Sequence, residues 1–148
     1  MPGARNFFSA AEKDDIKNAI IQAEQNSSGE LHVHLENHCT GEVLDRAAFL
    51  FEELGMKKTA ARNGVLFYLA VKDQKFAVIG DAGINAVVET HFWEEIRETM
   101  TAFFQKGEFV NGLIAGIQTT GQKLKAYFPF QQDDINELPD DISYGSGE

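Results

Sequence analysis

Arg62-Asn63-Gly64-Val65-Leu66-Phe67-Tyr68-Leu69-Ala70-Val71-Lys72-Asp73-Gln74-Lys75-Phe76-Ala77-Val78-Ile79-Gly80-Asp81-Ala82-Gly83-Ile84 holds two apolar runs, Val65 to Val71 and Phe76 to Ile79, parted by the polar link Lys72 to Lys75. Short β-branched and aromatic runs around such a link predict a β-hairpin. The runs have almost no polar alternation, which is the pattern of strands covered on both faces, so helices must lie above and below them. Polar, glycine-containing caps flank the pair: Arg62-Asn63-Gly64 enters the first strand and Gly80-Asp81-Ala82-Gly83 leaves the second. A hairpin brings these caps to one end.

Upstream, Ser9-Ala10-Ala11-Glu12 has capping-box spacing, and Ile16, Ala19, Ile20 and Ala23 continue a helical apolar face to about Gln25. Leu31 to Glu36 alternates, with Leu31, Val33 and Leu35 on one face and His32, His34 and Glu36 on the other, as in a strand with one wetter face. Thr40 is placed to cap a helix carrying Val43, Leu44, Ala47, Ala48, Phe51 and Leu54, with Gly55 as its stop. Strand, helix, strand is a right-handed crossover when the strands are parallel, so the Leu31 and Val65 strands should be parallel and the Phe76 strand antiparallel to both. Thr90 is placed to cap a helix bearing Phe92, Trp93, Ile96, Met100, Phe103 and Phe104, and Gly112 to Tyr127 supplies a last helix stopped by Pro129. The aromatic group around Trp93 reads as helix-packing core rather than a stacking platform. Glycines 112, 116 and 121 would let that helix lie close on the sheet. The expected fold is a Rossmann-like three-layer α/β/α sandwich around a small mixed sheet of three to four strands. Asn6-Phe7-Phe8 is the candidate for a fourth strand.

Composition bounds the rest. A chain of 148 residues with 43% apolar content fits one domain able to bury roughly 68–70% of its unfolded surface. We assign residues 1–8 to an arm, 9–130 to the domain and 131–148 to an acidic, disordered tail. Six of the excess negative charges behind a formal charge of −10 lie in that tail as Asp133, Asp134, Glu137, Asp140, Asp141 and Glu148. An acidic chain argues against nucleic acid as a partner. The single Cys39 precludes an internal disulfide, and the sequence shows neither a signal-peptide pattern nor an apolar run long enough for a membrane span. The expectation is a cytoplasmic protein without membrane insertion.

Parallel strands start at one end of a sheet, and an antiparallel strand finishes there. Ser28, Glu30, Thr59, Arg62, Asn63 and Asp81 should therefore meet at one rim, with backbone bared by Gly29, Gly64, Gly80 and Gly83. Carboxylates, an amide and hydroxyls are the oxygen ligands that hard cations take, and Arg62 is suited to pair with Asp81 or hold a phosphate oxygen. The same residues also fit plain loop chemistry. His32, His34, His38 and Cys39 form a competing group for Zn²⁺, but their spacing matches no zinc signature, and hydrogen-bonded strand histidines are the simpler account.

Ser28-Gly29-Glu30, Thr59, Arg62 to Leu66, Gly80 to Ile84, Phe92-Trp93 and Gly112 to Ile117, in this order and spacing, resemble a TPM domain over about Ser9 to Pro129. The resemblance implies divalent-cation binding, with Ca²⁺ or Mg²⁺, and the phosphatase or nucleotide-hydrolysing activity of some members. It places the family's polar cluster on Glu30, Arg62, Asn63 and Asp81. The roles expected from it are Glu30, Asp81 and Asn63 toward metal, Ser28, Thr59 and Arg62 toward substrate, and Arg62, Asn63 and Asp81 in catalysis. The substrate would be a phosphate ester or nucleotide, attacked by metal-activated water. The alternative is a non-catalytic Ca²⁺-binding interaction module, and a third, weaker option is an accessory to a membrane-bound paralogue. Many members carry an export signal and a C-terminal membrane segment, and this sequence shows neither.

Overall fold

The computed structural model describes residues 3–130 and 142–145. Its elements are α1 (Ala4–Phe7), α2 (Ala10–Asn26), β1 (Glu30–Glu36), α3 (Val43–Glu53), β2 (Gly64–Ala70), β3 (Lys75–Gly80), α4 (Ala82–Asn85), α5 (Phe92–Phe104), α6 (Phe109–Leu124) and β4 (Ile142–Tyr144). The sheet runs β3-β2-β1-β4. β1 is parallel to β2 and to β4, and β2 is antiparallel to β3. The expected crossover and hairpin are both present.

Two separate cores show why β1 and β2 carry so little exposed surface. Leu31, Val33, Leu35, Val65, Phe67 and Leu69 face α2, α5 and α6 through Ile16, Ile20, Ile96, Met100, Leu113 and Ile117. Leu66, Tyr68 and Ala70 face α3 through Ala47, Leu50 and Phe51. This is the three-layer sandwich, with α3 on one face and α2, α5 and α6 on the other, joined there by the short α1 and α4 through Ala4 and Ile84. At the start of α2 the capping box forms as read: Ser9 Oγ accepts from the Glu12 amide at 3.1 Å and Glu12 Oε1 accepts from the Ser9 amide at 2.9 Å.

Several local expectations are corrected. Asn6-Phe7 belongs to α1 and not to a strand; the fourth strand is Ile142–Tyr144, inside the tail read as disordered. Residues 131–141 and 146–148 of that tail lie outside the described residues. α3 begins at Val43 with Glu42 at its N-cap. Thr40 cannot cap it, because Asp73 Oδ2 accepts from the Cys39 amide, Lys75 Nζ donates to the Cys39 carbonyl, and Gly41 turns left-handed at φ 83°. α5 likewise starts after Thr90, with His91 at the N-cap, and α6 starts at Phe109, three residues earlier than Gly112.

The α6 glycines pack on helices rather than on the sheet. A Cβ at Gly116 would lie 2.5 Å from Met100 Sδ, whereas one at Gly121 would lie 2.7 Å from Ala23 Cβ and 2.9 Å from Ala23 Cα. Met100 is buried and its Cγ would lie 2.6 Å from the Cβ at Gly116, so that side chain can yield only in part, whereas at Gly121 α2 itself must shift. In a helix Ala is favoured over Gly by about 1 kcal/mol, while forcing atoms into a packed interface costs about 1–3 kcal/mol. Both Gly116→Ala and Gly121→Ala should therefore destabilise, Gly121→Ala the more, as measured by urea unfolding of the two variants.

Candidate functional site

The pairing register builds the rim. Glu30 lies opposite Gly64 across the parallel pair, Val65 lies opposite Gly80 across the hairpin, and the Asp81 amide donates to the Gly64 carbonyl at 2.9 Å. The starts of β1 and β2 and the end of β3 therefore share one edge of the sandwich, as strand directions require.

Asp81 sits at the N-cap of α4 with its side chain 3% exposed. Its carboxylate receives Arg62 Nε at 2.7 Å and Nη2 at 2.8 Å, a bidentate pair, and the Ala82 amide at 2.7 Å. Burial by itself would raise the Asp81 carboxyl, but the Arg62 and Ala82 hydrogen bonds with the Arg62 and Lys57 charges outweigh it and hold the group below the usual carboxylate range. Arg62 reaches Asp81 from a left-handed backbone at φ 52°, uncommon for a residue with a side chain, and its carbonyl accepts the Gly83 amide at 2.9 Å. A cavity of about 350 Å³ opens beside the pair, lined by Phe51, Glu52, Lys57, Ile79, Gly80 and Asp81.

The second half of the rim is an internal brace. Asn63, buried, donates its amide side chain to the Ser28 carbonyl at 3.2 Å and Ser28 Oγ at 3.3 Å, and its backbone N–H goes to Thr59 Oγ1 at 3.1 Å. Its carbonyl accepts from the Glu30 amide at 3.3 Å. Thus Ser28, Thr59 and Asn63 tie the loop before β2 to the start of β1. Glu30 is buried on the same face as Asp81, two strands and roughly 10 Å away. The gap above Gly64 is filled, since a Cβ there would lie 3.0 Å from the Met56 carbonyl oxygen and 3.6 Å from Phe51 Cζ.

The rim glycines do not bare the backbone as expected. A Cβ at Gly80 would meet Trp93 at 2.2 Å, and one at Gly83 would meet the Ala61 carbonyl oxygen at 2.1 Å. Trp93 backs the rim while donating Nε1–H to Asn85 Oδ1 at 2.8 Å. Among the described residues, no group of three or more His, Cys, Asp and Glu is placed to hold a metal ion. His32 and His34 share Ser143 Oγ, at 2.8 and 2.6 Å, while His38 and Cys39 bind Asp73. Sequence reasoning missed Lys57, which becomes a neighbour of Asp81 only through the turn that follows α3. It also missed the buried polar group on the α3 face, where Glu36 accepts from Arg46 and Tyr68.

A family model described as the TPM domain matches residues 4–123. The chain belongs to the TPM domain family. No curated protein matches it. Among solved structures, the NMR structure of the BA42 protein from the psychrophilic bacterium Bizionia argentinensis is 46% identical, covering 95% of this chain and 97% of that one at a TM-score of 0.89. The N-terminal domain of cg2496 from Corynebacterium glutamicum is 9% identical, with 96% and 84% covered at TM-score 0.65. That of a P. gingivalis protein is 20% identical, with 83% and 80% covered at TM-score 0.66. The last two show the fold alone. Within the described residues of this TPM domain, no helix is long and apolar enough to cross a membrane.

Burial lowers the His34 pKa to about 4, against the raising effect of the Glu36 charge. The folded chain therefore holds His34 neutral where the unfolded chain would protonate it. Its stabilising contribution is complete above the ordinary histidine value and is lost as pH falls from about 6.5 toward 4. The loss is at most about 3 kcal/mol. Denaturant midpoints measured across this window should fall for the wild type, and His34→Gln should flatten the slope.

Proposed function

We propose that the Asp81–Arg62 rim is a divalent-cation and phosphate site at which the domain hydrolyses phosphate esters or nucleotides. One observation carries this reading: a carboxylate 3% exposed is neutralised by a guanidinium 44% exposed, beside a cavity that also holds Lys57. Asp81 already keeps a cationic group on its oxygens, and an oxygen donor of this kind suits Ca²⁺ or Mg²⁺. Glu30 and Asn63 stand apart from it, Glu30 behind Met56 and Phe51, and Asn63 with its amide turned to Ser28. The fit is therefore at Asp81, and Arg62 must yield its place.

The Arg62 side chain can leave Asp81 while its backbone stays in place: the guanidinium is 44% exposed, and the left-handed backbone is held by the hydrogen bonds to the Thr59 carbonyl and from the Gly83 amide. Released from Asp81, its planar guanidinium would bind phosphate oxygens in bidentate fashion, with the Lys57 ammonium lining the cavity alongside. Asn63, Ser28 and Thr59 position the loop that carries Arg62. A bound cation would supply Lewis-acid activation of water and neutralise charge on the phosphoryl group.

The non-catalytic Ca²⁺-binding interaction module is favoured by a different observation, since the rim hydroxyls of Ser28 and Thr59 bond to Asn63 and not to a base. Titration with Ca²⁺ and Mg²⁺, with phosphate release from ATP and a chromogenic ester read in the same samples, separates the two. Asp81→Asn should abolish the cation response and cut turnover by about 100-fold or more. Arg62→Ala should bind the cation more tightly, because its competitor is gone, yet turn over more slowly. Full turnover in Asp81→Asn, or weaker cation binding in Arg62→Ala, contradicts the assignment. Cation binding in the wild type without product selects the module.

A further inference from the structure

The outer edge of β1 carries three residues from the C-terminal tail. Ile142, Ser143 and Tyr144 lie parallel to Val33, His34 and Leu35, and the Gly145 amide donates to the Leu35 carbonyl at 3.0 Å. Each side chain has a receiver. Ile142 and Tyr144 pack on the larger core, the Arg5 guanidinium stands 4.7 Å from the Tyr144 ring centroid and the Lys13 ammonium 5.3 Å from it. Ser143 Oγ is shared by His32 Nε2 and His34 Nδ1. In sequence the segment follows Asp140-Asp141, a charge opposite to that of Arg5 and Lys13. Backbone pairing along an open edge, with alternate side chains entering pockets, is how sheets bind extended peptides.

We propose that the outer edge of β1 is a strand acceptor that reads the apolar–serine–tyrosine segment 142–144 and takes it from a second copy of this chain as well as from its own, giving a tail-exchanged dimer when acid opens the edge. The exchange keeps every contact described above, so the two forms differ chiefly in tethering. A tethered segment enjoys an effective concentration in the millimolar range, which keeps the monomer dominant until the strand is released.

The release is set by one hydroxyl between two imidazoles. Ser143 has one proton to donate, so with both rings neutral one ring nitrogen accepts and the other donates. A proton on His34 would set a buried cation against this shared hydroxyl, so the ring takes its proton as the strand leaves and water reaches it. His34 is faced by His32 and Glu36 from β1, Tyr68 from β2, Arg46 from α3 and Ser143 from β4. Among the described residues its Nε2 has no hydrogen-bond partner; it lies 3.8 Å from Glu36 Oε1, whose carboxylate is already held by Arg46 and Tyr68. No free acceptor there welcomes a second charge. β4 pairs over three residues against seven for β1 with β2, so it is the member that yields.

The test mixes two forms of the full chain, one affinity-tagged and one fluorescent, at neutral pH and at about pH 5, between the ordinary histidine value and that of His34. Both samples are returned to neutral pH before capture, and amide exchange is followed by NMR. The expected result is a lower protection factor at Gly145 in acid, after correction for the slower intrinsic exchange at that pH, while Phe67 stays protected, with mixed dimers captured only after the acid step. A fluorescein peptide of residues 140–148 in excess should suppress the dimers. Ser143→Pro, which cannot join a strand ladder, should give none, and Ser143→Ala serves if that variant misfolds, with dimer yield reduced. Gly145 as protected as Phe67 in acid, no mixed dimer despite its opening, or undiminished dimer in both variants would overturn the proposal.

Discussion

A carboxylate buried at the end of a strand requires a counter-charge, and the rim of this domain is arranged to give Asp81 one. Arg62 supplies it, and to do so the loop before β2 must enter the sheet from a left-handed residue. That loop is fixed on its other side by Asn63, which ties it to Ser28 and Thr59. The same carboxylate caps α4, so the end of β3, the start of β2 and the start of β1 become one rigid unit. The close approaches at Gly80 and Gly83 follow from it, because Trp93 and the Ala61 carbonyl must lie against backbone for the unit to close.

A second ionic group does comparable work deeper on the α3 face. Glu36 is buried, and Arg46 and Tyr68 donate to it, which joins α3 to β1 and β2. Burial, acting against those hydrogen bonds, does not prevent the Glu36 carboxyl from being held below its ordinary range, and burial with the Glu36 bond pushes the Tyr68 phenol up. The two pairs meet solvent alike, with Arg46 35% exposed over Glu36 at 6% and Arg62 44% exposed over Asp81 at 3%. They differ in their surroundings: Glu36 is held from a second side by the Tyr68 hydroxyl, whereas Asp81 borders a cavity that Lys57 also lines, which is why the functional reading rests on the rim.

The rim was legible because its composition follows from strand direction. Once Val65 to Ile79 reads as a hairpin and Leu31 to Val65 as a crossover, Ser28, Glu30, Arg62, Asn63 and Asp81 have nowhere else to be. What the pattern could not convey is which polar atoms face each other. Asn63 reads equally as ligand or brace, and only the three-dimensional course of residues 57–63 makes it a brace. β4 was hidden for a different reason: Ile142-Ser143-Tyr144 is too short for a period to be detected and sits in an acidic tail, so it is a strand only because β1 offers it an edge. The α6 glycines were read as close packing, correctly, but their partners on α2 and α5 depend on helix placement that no local spacing encodes.

The central claim is that Asp81 exchanges Arg62 for a divalent cation. The most direct measurement is the NMR signal of the Arg62 Nε–H during titration with Ca²⁺ or Mg²⁺, with the Ala82 and Gly83 amides as local reporters. The account predicts that the Nε–H loses its hydrogen-bonded shift and exchanges faster with water as the cation binds, while the Asn63 amide stays in place. An Arg62 Nε–H signal unchanged at saturating cation would mean that the pair is structural and that the site lies elsewhere.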